Sequence, residues 1–191
     1  MTTNLLENIP IVSIVRRNHG IEHATVHLLA AGFGEQFDRA GRGLSRAANA
    51  NRRIVARSDT KGFIIYGEMK ADELERAVKE ALRRLQAGDA HLAVHPNCGT
   101  NFVTSGMLAG AAAWAVTALS ARGDRRRSVW ESLPTAFSAA TLALFVAQPL
   151  GHTLQEFVTT SAQVQGVRLG KVTRRPDLGG VPVHSVELIH P

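Results

Sequence analysis

Hydrophobic and polar positions follow different rhythms along this chain. Between Lys70 and Gly88, Leu74, Val78, Ala81, Leu82 and Leu85 recur at three- and four-residue intervals among charged neighbours, which predicts an amphipathic helix stopped by Gly88. The glycine-bracketed apolar run GFIIYG (62–67) predicts a buried strand, and HLAV (91–94) predicts another, so that 62–94 reads as a βαβ-like unit. The tail alternates apolar and polar residues on either side of Gly179 and Gly180, the pattern of a β-hairpin. Phe102–Ala121 and Leu133–Leu150 have neither rhythm and run for twenty and eighteen residues without a charge. A helix of about 20 residues spans the ~30 Å hydrocarbon core of a bilayer, so the pair predicts a two-helix transmembrane hairpin. Gly106, Gly110, Ala136, Ala139, Ala140 and Ala143 would let helices approach closely in lipid. The alternative for segments so rich in alanine is a hairpin buried in a soluble protein.

The remaining stretches complete an α+β chain. Residues 1–17 read as an irregular or short helical lead-in, with Asn18 capping a helix that starts at His19 and Gly32 ending it. Gly34–Asp59 reads as a long loop with a short strand at Arg53–Ala56, and GHTLQEFVTTSAQVQ continues helically from the second apolar segment. The expected organisation is a small metal-site domain over 1–101, a transmembrane helix pair over 102–150, and a short C-terminal tail over 151–191.

Composition changes this picture little. The 191 residues are 45% hydrophobic and 20% charged, which is ordinary for a folded chain. The net charge of +6 comes largely from arginine and is densest between Arg122 and Ser132. Beside an apolar helix such a cluster suits anionic membrane lipids as partners. Nucleic acid is not an expected partner, because aromatics are only 5% and sit mostly in apolar runs. MTTNLLENIPIVSIV lacks the basic start of a secretory signal, and the single cysteine, Cys98, excludes an internal disulfide framework.

Two stretches carry candidate chemistry. In HGIEHATVH (19–27), His19, Glu22, His23 and His27 fall on one helical stripe, and HGIEH matches H-x-x-E-H, in which two imidazoles hold a metal and a carboxylate works on its water. In AVHPNCGTN (93–101), a Pro-Asn-Cys-Gly turn can aim His95 and Cys98 at one point, and Thr100 or Asn101 can cap the apolar helix that follows. Mixed imidazole and thiolate shells suit Zn²⁺ or another divalent transition metal. The bland alternative is a set of partly exposed, hydrogen-bonded histidines and a buried cysteine acting as a small hydrophobe. His91 would share a strand face with His95, and His152 would sit one turn before Gln155 and Glu156.

HGIEH, HPNCGTN, the charge-free helix pair and LQEFVTT (154–160) occur in the order found in bacterial membrane proteins of the YqhQ type, which this chain resembles over His19–Thr160. The resemblance transfers to His19, Gly20, Glu22, His23, His95, Pro96, Cys98, Gly99, Thr100, Leu154, Gln155, Thr159 and Thr160. It implies a metal-dependent enzyme in an uncharacterised family, with the 62–94 unit lengthening the connection between the first two motifs.

Two functions follow as expectations. In the first, the chain is a membrane-embedded metal-dependent hydrolase acting on an amide or ester. His19 and His23 hold zinc with Cys98 or His95, and Glu22 is the general base. In the second, His19, His23, His95 and Cys98 close a structural metal site in a non-enzymatic membrane module. Either way a multi-pass protein of the cell membrane is expected, with its site domain in the cytoplasm.

Overall fold

The computed structural model describes residues 5–31, 54–123 and 129–191. Residues 34–53 of the loop expected over 34–59, the Gly32 helix stop and the arginines at 124–128 lie outside these residues, and the short strand expected at Arg53–Ala56 is found at Val55–Ser58. Among the described residues are helices α1 (Pro10–Ala30), α2 (Ala71–Gln86), α3 (Gly99–Gly123) and α4 (Val129–Leu154), with strands β1 (Val55–Ser58), β2 (Gly62–Tyr66), β3 (Arg168–Leu178) and β4 (Val181–Ile189). They divide into two compact units, one of residues 1–95 with 156–191, the other of residues 96–155.

The first unit is an antiparallel sheet, in the order β1-β2-β4-β3, with helices on one face. Its register places Phe63 opposite Val186 and Ile65 opposite His184, so these side chains share a face. That face packs with Ile21, Ala24, Leu28 and Leu29 of α1 and with Leu74, Val78, Ala81 and Leu85 of α2 in one buried core. All five apolar positions expected on the inner side of α2 are buried. β3 and β4 are joined through Gly179 and Gly180, whose φ of 58° and 80° supply the paired left-handed geometry of a tight hairpin turn.

Three expectations fail here for physical reasons. Residues 91–94 are not a strand: Ala90–Ala93 form a 3-10 turn, and β2 is paired by β1 on one side and by β4, from the far end of the chain, on the other, so the sheet is antiparallel without a βαβ crossover. The helix does not begin at His19. It begins at Pro10, whose missing N–H costs nothing in a first turn, after a 3-10 turn at Leu5–Asn8. Asn18 is therefore not a cap but a buried bridge inside α1. Its Nδ2 donates to the Asp59 carbonyl at 2.7 Å, and its Oδ1 accepts from His190 Nε2–H at 2.8 Å. The first-unit helix α1 thus ties the β1–β2 turn to the C-terminus.

The second unit pairs α3 with α4. Ser132, Ala136, Ala140, Ala143, Ala147 and Gly151, spaced three or four apart, are the buried and half-buried face of α4. A Cβ on Gly151 would run into the Asn101 side chain. The buried Gln155 donates from Nε2 to Asn101 Oδ1 at 2.7 Å, while Asn101 Nδ2 donates to the Pro96 carbonyl. Gly106 and Gly110 behave differently: a Cβ at either would meet nothing within 4 Å, so they do not mediate this helix contact. Gly99–Ser120 and Trp130–Thr159 are long and apolar enough to cross a membrane. Only 6% and 11% of their apolar windows are buried, and Phe102, Met107, Trp114, Phe137, Leu142 and Phe145 point outward, so within this chain they are not a covered core hairpin.

Candidate metal centre

The site is built on the second half of α1, in the first unit. Gly20 is required by a close approach: a Cβ there would collide with the Ser161 carbonyl and touch the Ala93 side chain. The 157–161 segment is held across α1 by Arg16, whose Nη2 donates to the Phe157 and Thr160 carbonyls at 3.1 and 2.9 Å. Ser161 N–H donates in turn to the Arg16 carbonyl at 2.9 Å. Glu7 holds the other end of that guanidinium at 2.6 Å.

This clamp presents one carbonyl to the histidines, and the Ala90–Ala93 turn presents another. His19 Nδ1–H donates to the Thr159 carbonyl at 3.0 Å, and His23 Nδ1–H donates to the Ala93 carbonyl at 2.8 Å. A carbonyl can only accept, so in the neutral ring each bond fixes the tautomer whose lone pair is on Nε2. Backbone carbonyls orient metal-binding imidazoles in this way. The two rings lie 4.3 Å apart, and a ligand atom of one is within 4.8 Å of a ligand atom of the other. His27 has the opposite tautomer: its Nε2–H donates to the Val94 carbonyl at 2.8 Å. His95 stands 4.7 Å from His27 and 5.8 Å from His23, ring to ring. Burial, then the neighbouring His27 and His23, pushes the His95 pKa down to about 4, so it is a neutral imidazole near pH 7.

Glu22 is 6% exposed and stands on the same helix between His19 and His23. Burial raises its pKa, opposed by the nearby His19 and by hydrogen bonds from the Ser58 hydroxyl and N–H. Ser58 faces the helices because it pairs with Phe63 in the sheet register. One carboxylate oxygen, Oε2, has no hydrogen-bond partner among the described residues. A buried oxygen left this way is costly unless something absent from the chain satisfies it, which fits a cation or a polarised water.

The structure therefore gathers His19, Glu22, His23, His27 and His95 in the first unit. Cys98 belongs to the second, where it, rather than Thr100 or Asn101, occupies the position before α3: Thr100 N–H donates to its Sγ at 3.4 Å. That is the end of a helix where negative charge is favoured. His91 lies exposed on the 3-10 turn and His152 is exposed on α4. Ser58 and the carbonyls of Ala93, Val94 and Thr159 were not legible as site groups. Only the ordering of the three motifs hinted that residues near 159 belong with α1.

Comparison with known proteins agrees with a family whose activity has not been assigned. No solved structure matches the chain. An uncharacterized protein of Picosynechococcus sp. (strain ATCC 27264 / PCC 7002 / PR-6) is 31% identical over 179 residues, covering 91% of this chain and 78% of that protein. A family model described as a domain of unknown function, DUF6391, matches residues 14–172, covering most of α1, both apolar helices and the start of β3. The chain belongs to the DUF6391 family.

Proposed function

We propose that this protein is a membrane-embedded, metal-dependent hydrolase, with His19, His23 and Cys98 as ligands of Zn²⁺ or a similar ion and Glu22 as general base. The observation that carries the reading is the matched pair of carbonyl bonds that leave the lone pairs of neutral His19 and His23 on Nε2, with the rings 4.3 Å apart. Cys98 enters from the H-x-x-C spacing: three residues of chain from His95 span at most about 11 Å. The likeness of HGIEH, HPNCGT and LQEFVTT to the YqhQ type supports the same ligand set.

When bound, the ion would supply Lewis acidity and bring the pKa of a water toward ~7. The chain's own part is to hold and to move the proton. Ser58 fixes one oxygen of Glu22, leaving Oε2 without a partner among the described residues and able to accept a proton from water. A raised carboxyl pKa suits a base that must pass the proton on to a leaving group. Amides and esters of membrane-associated molecules are the proposed substrates. The proposed setting is the cell membrane, as a multi-pass protein with its site domain in the cytoplasm; two helices long and apolar enough to cross a bilayer support the membrane part of this reading.

The second reading is a closed structural site with His95 as fourth ligand, favoured by its 5.8 Å approach to His23. Glu22→Gln separates the two. An enzyme keeps its metal and loses hydrolysis of a panel of fluorogenic esters and peptide amides. Unchanged hydrolysis, or none in the metal-loaded wild type, favours the structural site.

A further inference from the structure

We infer that His27 and His95 form a second metal-binding pair, separate from the ligands grouped around His19 and His23 and taking a labile divalent transition ion.

The argument starts from helix geometry. His19 and His27 are eight residues apart, about 12 Å along the axis at 1.5 Å per residue, whereas a tetrahedral shell is only a few ångströms across. The imidazoles of α1 therefore do not all serve one ion equally. His95 decides the grouping: its ring is nearer His27 (4.7 Å) than His23 (5.8 Å). Two imidazoles on one zinc, with Zn–N near 2.0–2.1 Å and tetrahedral angles, have ring centres about 5 Å apart. The His27–His95 pair has that spacing, and the rings are tilted by 59° rather than stacked.

The pair is also built rather than incidental. Successive carbonyls, Ala93 and Val94, accept from successive α1 histidines, His23 and His27, at 2.8 Å each. This is allowed because the chain leaves its 3-10 turn at Ala93 and becomes extended at Val94 (φ −116°, ψ 132°). The next residue is His95, so the two bonds that orient the helix histidines also fix where His95 is delivered. The Val94 bond takes the Nε2–H of His27 and leaves the lone pair of the neutral ring on Nδ1, the nitrogen nearer the backbone. Two protein ligands leave positions for water, which is why this ion exchanges more readily than one held by three. Borderline ions that favour imidazole, such as Zn²⁺, Co²⁺ and Ni²⁺, are the ligand class.

The test is titration of chelator-stripped full-length protein in detergent with Co²⁺, read by its visible absorption and by bound cobalt after desalting, and repeated with Zn²⁺. The expected result is two equivalents in wild type and one in His27→Gln, whose amide can still donate to the Val94 carbonyl and so spare the fold. His23→Ala should retain the weaker equivalent and lose the sulfur-to-cobalt charge-transfer band. One equivalent in both wild type and His27→Gln would overturn the second pair while leaving the hydrolase site intact. A single equivalent in wild type, absent in His27→Gln and kept in His23→Ala, would support the pair and overturn the hydrolase ligand set. No binding at all would overturn both.

Discussion

His23 donates its Nδ1–H to the carbonyl of Ala93, seventy residues further along the chain, at 2.8 Å. This one bond connects the helix of the first motif to the segment that delivers the second. It also decides which nitrogen of His23 can meet a metal. Both consequences depend on backbone placement, and they lead to predictions about the groups that hold that backbone.

Gly20→Ala should destabilise the first unit and weaken metal binding together. The added methyl runs into the Ser161 carbonyl, and moving the 159–161 segment withdraws the carbonyl that orients His19. Overpacking of this kind costs about 1–3 kcal/mol. The change should appear as a lower midpoint of thermal unfolding by circular dichroism, with the near-ultraviolet signal of Tyr66, in β2 of the first unit, as a second probe. A variant as stable as wild type would mean that the segment shifts freely.

The contact between Gln155 and Asn101 should be measurable as a coupling. Gln155 is fully buried, and its Nε2 donates to Asn101 Oδ1 at 2.7 Å. Gln155→Leu and Asn101→Leu in a double-mutant cycle should couple by about 0.5–3 kcal/mol. Additive losses would show that the two side chains act separately.

What was legible in the sequence follows from how local the cause is. The amphipathic helix at 71–86 and the Gly179-Gly180 turn are set by neighbours in the chain, and both stand where the pattern puts them. The β2–β4 pairing joins Gly62–Tyr66 to Val183–Glu187, and no short-range period announces a partner so distant. HLAV misled because a four-residue apolar run fits a 3-10 turn packed on α1 as well as it fits a strand. Asn18 looked like a cap because its polar side chain is ordinarily placed there, but distant partners at Asp59 and His190 satisfy it inside the helix. Among the site residues, the α1 stripe could be read from i, i+4 spacing. Ser58 reaches Glu22 only through sheet register.

His184 should make the first unit sensitive to mild acid. It is 1% exposed, its Nδ1 has no partner among the described residues, and burial followed by the nearby Arg174 lowers its pKa below the ordinary 6.5. The unfolded chain therefore binds the proton more readily than the folded one. The sign is that stability is full above pH 6.5 and falls as pH drops from there toward the folded-state pKa. His184→Leu removes the titrating group and fills the same core face opposite Ile65. Its unfolding midpoint should fall less than that of wild type between pH 7.5 and 5.5. Parallel profiles would assign the acid sensitivity to other histidines.

The two apolar helices should behave as spanning segments. Gly99–Ser120 is 22 residues long, about 33 Å at 1.5 Å per residue, against ~30 Å of hydrocarbon. The protein should stay with membranes through alkaline carbonate, which removes peripheral proteins. A cysteine at Ser128 in a Cys98→Ser background should be labelled from outside intact cells if the site domain is cytoplasmic. Release by carbonate contradicts the span, and labelling only of a cysteine at Ser185 reverses the orientation.

The most direct measurement of the central claim is the metal content of purified, full-length protein after reconstitution with Zn²⁺, compared with His23→Ala and Cys98→Ser. Retention in Glu22→Gln serves as the control for folding. Tight zinc in wild type and Glu22→Gln, lost in both His23→Ala and Cys98→Ser, is the predicted result. Wild-type protein that folds but takes up no transition metal would contradict it.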